Sequence, residues 1–163
     1  MAGDLTELYQ TSLKDPTRAR LFASSVGFVS AFGAARGMAY AAKAGIPPFH
    51  FVTKKGVHIH HLVYGICLLL LVGYLWLIRV GTGQERGGDR KLSELTALLY
   101  GVGSGLTLDE FAMWLRFSEN AYFTEEGRES VDAVLVFAGL LSAGLWGAPF
   151  LKALGQKLLG RSR

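Results

Sequence analysis

His58, His60 and His61 open an apolar run that continues to Val80, and the fourth histidine, His50, lies just before them. Asp109 and Glu110 stand near the end of a later apolar run. Glu125, Glu126, Glu129 and Asp132 lead into another, so that seven of the thirteen acids fall between Asp109 and Asp132. Imidazole and carboxylate together suit a divalent metal, zinc first and iron or manganese next. The same groups also carry protons in membrane relays. A metal held in a helix bundle needs ligands from several helices at one depth, which these three regions can supply.

Helical spacing narrows the set. Residues three or four apart share a face, so His58 and His61 are expected to point together, with His60 turned toward Tyr64. Glu125, Glu129 and Asp132 share a face in the same way if their helix begins before Glu125. Asp109 and Glu110 are separated by about 100° of helix rotation, so one of them is expected to meet the histidines. Asp109 is preferred, leaving Glu110 as a supporting partner, a general base or a counter-charge to Arg36. The expected metal ligands are His58, His61, His60, Asp109 and Glu129. Glu110 and Asp132 are the expected bases, and Arg36 or Arg116 would hold developing negative charge. The Glu-x-x-His pairs of di-iron carboxylate bundles are absent. The bland alternatives are interfacial histidines capping a helix, acids paired only with Arg36 and Arg116, and Ser130 as a capping residue rather than a nucleophile.

The elements that would position these groups are apolar and long. The chain has 163 residues, half of them hydrophobic, with a formal charge of +4 and a mean hydropathy of +0.30. This predicts one all-α domain over 1–163, a polytopic four-transmembrane-helix bundle. Residues 1–20 carry Leu5, Leu8, Tyr9 and Leu13 at helical spacing and are expected to form an amphipathic interfacial helix. Asp15-Pro16 then breaks the pattern and suits the start of the next helix. The spans are expected at about 21–42, 57–80, 92–117 and 131–154. Small residues at 33–37 and at Gly101, Gly103 and Gly105 predict close helix contact, within the chain or in a homo-oligomer. Trp76, Trp114, Tyr122 and Phe123 read as interfacial anchors. Arg36 within the first span should face the bundle, snorkel to an interface or meet an acid. The bundle is favoured, because many of the acids lie further along the chain at similar depth.

Basic residues flank the apolar segments instead of clustering on a soluble face, which argues for membrane lipids as partners and against nucleic acid. Lys14, Arg18 and Arg20, then Arg79, Arg86, Arg90 and Lys91, then Lys152, Lys157, Arg161 and Arg163 share one side of a four-span topology. Both termini are therefore expected in the cytoplasm, with the histidines at the outer face. No secretory signal peptide is expected at the N-terminus. The single Cys67 rules out an intramolecular disulfide framework.

The strings His58-Ile-His-His-Leu-Val-Tyr-Gly65, Gly101-Val-Gly-Ser-Gly-Leu-Thr-Leu-Asp-Glu-Phe111 and Glu125-Glu-Gly-Arg-Glu-Ser-Val-Asp132 resemble those of a group of small, uncharacterised bacterial integral membrane proteins. The resemblance covers residues 56–135. It implies a multi-pass protein of the bacterial inner (cytoplasmic) membrane and brings no established activity. In chemistry alone, the histidines and carboxylates are similar to those of ceramidase and progestin-receptor-type membrane zinc hydrolases, whose seven-helix fold this chain is too short to form.

Two functions follow as expectations. The first is a metal-dependent membrane hydrolase or transferase, acting on a lipid or lipid-linked substrate at the outer leaflet through a metal-activated water. The second is a non-enzymatic metal- or proton-binding transport or sensor protein, or a partner subunit.

Overall fold

A computed structural model describes residues 13–50, 53–54, 57–83, 89–117, 122–142 and 144–145, with the side chains of 53, 54, 57, 58 and 126 outside that description. The elements in chain order are α1 (Pro16–Lys43), β1 (Thr53–Lys54), β2 (Val57–His58), α2 (His61–Leu77), α3 (Arg90–Asp109), α4 (Phe111–Arg116), a 3-10 turn (Glu125–Gly127) and α5 (Arg128–Ser142). The described architecture is all-helical apart from the two-residue strands. These pair antiparallel with Thr53 opposite His58.

Local sequence sets the helix starts. Asp15 caps α1 by accepting from the Thr17 amide at 2.9 Å, and Pro16 sits in the first turn, where its missing N–H costs nothing. Residues 16–20 thus belong to this long helix and not to the expected surface helix, whose residues 1–12 lie outside the described set. Asp89 caps α3 in the same way, accepting from the Lys91 amide at 2.8 Å.

Small residues decide the packing. α3 lies between α1 and α2 and uses alternate small positions for each. A Cβ on Gly105 would stand 2.7 Å from the Phe28 carbonyl, and one on Gly101 would collide with the Ser24 backbone of α1. On the other side, a Cβ on Gly65 of α2 would stand 2.8 Å from the Gly103 carbonyl. The backbones meet where any side chain would hold them apart. Gly101 and Gly105 make the close contact that their spacing predicts. At 33–37 it is Ala35 that is buried, whereas Gly33 and Gly37 have open space beside them, and Gly27 makes the backbone contact of α1. α5 closes the groove between α1 and α3 through Phe137, whose ring lies 5.0 Å from Phe28 and 6.3 Å from Tyr100.

Gly27 faces Leu98 while Phe32 faces Gly105, so α1 and α3 run the same way. α2 runs opposite, with Gly65 near Gly103 and Trp76 near Thr96. Trp76 is half-buried at that end. Its indole donates to Thr96 Oγ1 at 3.1 Å, and the Arg20 guanidinium lies 5.0 Å from its ring.

Span boundaries differ from expectation in three places. Residues 57–58 are strand, so the second helix starts at His61 and ends at Leu77. The third breaks at Glu110 (φ −102°, ψ 17°) into α3 and α4. The fourth is helical from Arg128 to Ser142, and its expected remainder to 154 lies largely outside the described residues. Among the described helices, Pro16–Lys43 is long and apolar enough to cross a membrane, and His61–Leu77 is apolar but shorter.

Candidate functional site

The end of the bundle where α1 and α3 finish and α2 begins gathers the ionisable groups. Asp109 is the last residue of α3 and is fully buried. Its Oδ1 accepts from Arg36 Nε at 2.6 Å, and its backbone carbonyl accepts from Arg36 Nη2 at 3.0 Å. Its Oδ2 receives His61 Nε2 at 2.9 Å and the Tyr122 hydroxyl at 2.6 Å. A buried carboxylate is tolerable only when its lone pairs are met, and here three side chains meet them.

Glu110 is also buried and serves a second purpose. Its Oε2 accepts from the Leu62 amide at 2.9 Å, so a carboxylate at the α3–α4 break caps the N-terminus of α2. Negative charge is favoured at that helix end. Its Oε1 takes His60 Nδ1 at 2.9 Å, and His61 Nδ1 stands 3.5 Å away. His61 therefore has a carboxylate oxygen beside each ring nitrogen.

The arrangement departs from helical-spacing expectations twice, for one reason. His60 does not turn away toward Tyr64, because it precedes α2 as an extended N-cap residue (φ −75°, ψ 141°). Likewise both Asp109 and Glu110 meet histidines, because α3 breaks between them and α4. Periodicity constrains residues inside a helix and not at its ends. His58 stands in β2, with its side chain outside the described residues.

The break is held from both sides. Arg36 satisfies the Asp109 carbonyl, while the Ala112 amide donates to Ser130 Oγ at 2.8 Å. Ser130 is fully buried and acts as a cap, but for the start of α4 and not for its own helix. This ties α5 to the site without placing the expected acids in it. Glu129 binds Arg116 through two hydrogen bonds, from Nε at 3.1 Å and from Nη2. That contact holds the Glu129 carboxyl below the ordinary carboxylate range. Asp132 is exposed and lines a groove beside α4. Arg116 is thus paired with Glu129, and not with Asp109 or Glu110.

Tyr122, expected as an interfacial anchor, is part of the site. It is buried, donates to Asp109, and its ring lies 4.5 Å from the Arg36 guanidinium. Phe32 covers the same cation at 5.3 Å. Burial, then the Asp109 charge and hydrogen bond, push the Tyr122 hydroxyl far above its ordinary range, so it stays a donor. Phe123 packs on Tyr122 at 4.8 Å and lies under Lys43 at 4.2 Å. No periodic signal marks Tyr122 in the sequence, since it falls in a connection.

With neutral imidazoles, Arg36 against Asp109 and Glu110 gives the cluster an excess of one negative charge among the described residues. Among the described residues, no group of three or more His, Cys, Asp and Glu side chains has an arrangement able to hold a metal ion. Comparison with protein-family models, with curated proteins and with solved structures finds no match for this chain.

Proposed function

We propose that this chain is a multi-pass membrane protein whose outer-end cluster binds a proton, giving it a proton-linked sensing or transport role. The observation that carries this is the position of His61 between Asp109 Oδ2 at 2.9 Å and Glu110 Oε1 at 3.5 Å. A neutral imidazole has one N–H and leaves a lone pair facing a carboxylate. An imidazolium donates from both nitrogens. One added proton also cancels the negative excess of a buried cluster, which is costly to leave uncompensated in apolar surroundings. Arg36, His60 and Tyr122 bear on the same two carboxylates, so a proton here alters how α1, α2 and α3 hold one another.

The four-span bundle is part of this proposal. Its support is the apolar surface that water would leave uncovered: Leu70 is 69% exposed, Leu77 83%, Leu135 63% and Leu140 65%. The inner-membrane location and the cytoplasmic termini rest on the charge pattern of the sequence.

Proteoliposomes loaded with a pH-sensitive dye test the proton reading after an external acid pulse. Acidification faster than in empty vesicles, lost in Asp109→Asn and His61→Gln, is the transport outcome. The sensing outcome is a pH-dependent change in amide exchange at the start of α2 that His61→Gln abolishes. Neither response in the wild type removes the proposal.

A metal-dependent hydrolase or transferase is the second reading, favoured by one feature. Each imidazole sets a ring nitrogen on a carboxylate, as metal-bound histidines commonly do to fix their tautomer. His60 and His61 would then be the ligands. Zinc, iron or manganese would activate a water for attack on a lipid ester or amide. Stoichiometric metal in purified protein, lost in a His60→Ala, His61→Ala double variant, would move this reading first.

A further inference from the structure

Of the two acids on α5, Asp132 is taken up neither by the histidine cluster nor by Arg116. It is exposed and, among the described residues, has neither a hydrogen bond nor an ion pair. Arg116 is bound by Glu129, and Arg128, one turn before Asp132, forms no ion pair with it among those residues. Asp132 lines a groove of about 500 Å³, within the size range of small-molecule sites. One wall is Leu108, Phe111 and Leu115, from the end of α3 and from α4. The other follows α5, where Asp132, Val136 and Leu140 recur every fourth residue and so share a face. From Asp132 to Leu140 the helix rises about 12 Å. The groove therefore has one acidic end and a hydrocarbon length.

Charge and surface together select the occupant. The walls offer an apolar body contact and no hydrogen bond, because their side chains away from the acidic end are hydrocarbon. At that end Glu129 is neutralised by Arg116, which leaves the Asp132 charge uncompensated beside apolar surface. A phosphate finds no cation there, since Arg116 stands outside the lining and is already bound. We infer that this groove binds an amphiphilic monocation, with its single ammonium at Asp132 and its hydrocarbon chain laid along α5 toward Leu140. Apolar walls exclude water from one side of the ion pair and strengthen it over a fully solvated one. The inference is independent of proton binding at His61, since Asp132 has no contact with that cluster.

The test is equilibrium dialysis of radiolabelled decyltrimethylammonium and decanoate at neutral pH, each below its micellar concentration. The full chain is purified in a neutral detergent, and protein-free micelles serve as the blank. The expected result is retention of the cation above the blank and several-fold over decanoate. Asp132→Asn should lower cation retention several-fold. Arg116→Gln, which leaves Glu129 without its counter-charge, should raise it, and opposite shifts in two charge variants do not come from misfolding. Val136→Trp, at a 67% exposed position lining the groove, should lower retention by obstructing the wall. No retention above the blank overturns the inference. So does equal retention of the two probes, which would mean an alkyl chain held without regard to its head. Cation retention that fails to fall in Asp132→Asn or to rise in Arg116→Gln overturns it as well.

Discussion

His61 Nε2 and Asp109 Oδ2 lie 2.9 Å apart although 48 residues separate them in the chain. One stands at the first turn of α2 and the other at the last residue of α3, so the contact records the antiparallel packing of these helices. Because Asp109 also binds Arg36 and Tyr122, α1, α2, α3 and the connection after α4 converge on one carboxylate.

Removing that carboxylate should be the most damaging single change at the site. Asp109→Asn leaves the Arg36 guanidinium partly buried without its counter-charge, and breaking such a pair costs on the order of 3 kcal/mol. Thermal unfolding in detergent should show a large fall in midpoint. Glu129→Gln, which breaks a more exposed pair with Arg116, should leave the midpoint nearly unchanged. Equal effects of the two would remove Asp109 from its central place.

Tyr122 makes a prediction at alkaline pH. Its hydroxyl is raised in the folded protein by burial and by Asp109. As pH rises past the ordinary phenol value of about 10, the unfolded chain releases this proton while the folded chain keeps it. Stability is therefore lost progressively above that pH. Tyr122→Phe should flatten this alkaline loss, read as unfolding midpoint against pH. It should also remove none of the phenolate absorbance that develops first in the wild type.

Glu110 caps α2 from outside the helix, and its loss should show locally. Glu110→Ala strips the acceptor from the Leu62 amide, an effect of about 1 kcal/mol for a lost cap. Hydrogen exchange should quicken at the first turn of α2 and stay unchanged near Trp76. Uniform quickening along α2 would mean that Glu110 supports the bundle as a whole and not the cap.

The glycines separate contact from open space. Gly101→Ala presses a methyl into the α1 backbone and should destabilise by about 1–3 kcal/mol, the usual range for overpacking. Gly33→Ala meets nothing and removes a helix-weakening glycine, so it should be neutral or stabilising by up to about 1 kcal/mol. Unfolding midpoints of the two variants side by side decide this. Destabilisation by Gly33→Ala would point to a second copy of the chain packed on that face.

Much of the arrangement is written in local chemistry. Asp15-Pro16 starts α1, and the small residues at 101 and 105 seat α3 on α1. The burial cost of Arg36 implied an acidic partner, and Asp109 is that partner. The approach of His61 to Asp109 was also legible, because scarce charges in apolar segments must find one another.

Tertiary structure alone decided which members of each group meet. His60 joins His61 because α2 begins at His61, four residues after the expected start at 57, which leaves His60 outside the helix. Glu110 joins Asp109 because α3 breaks there, and Tyr122 arrives from a connection with no period at all. Glu129 and Asp132 turn instead to Arg116 and the groove. The physical reason is common to all four cases. Sequence periodicity fixes directions only where i to i+4 hydrogen bonds hold the backbone, and this site is assembled at the ends where those bonds stop.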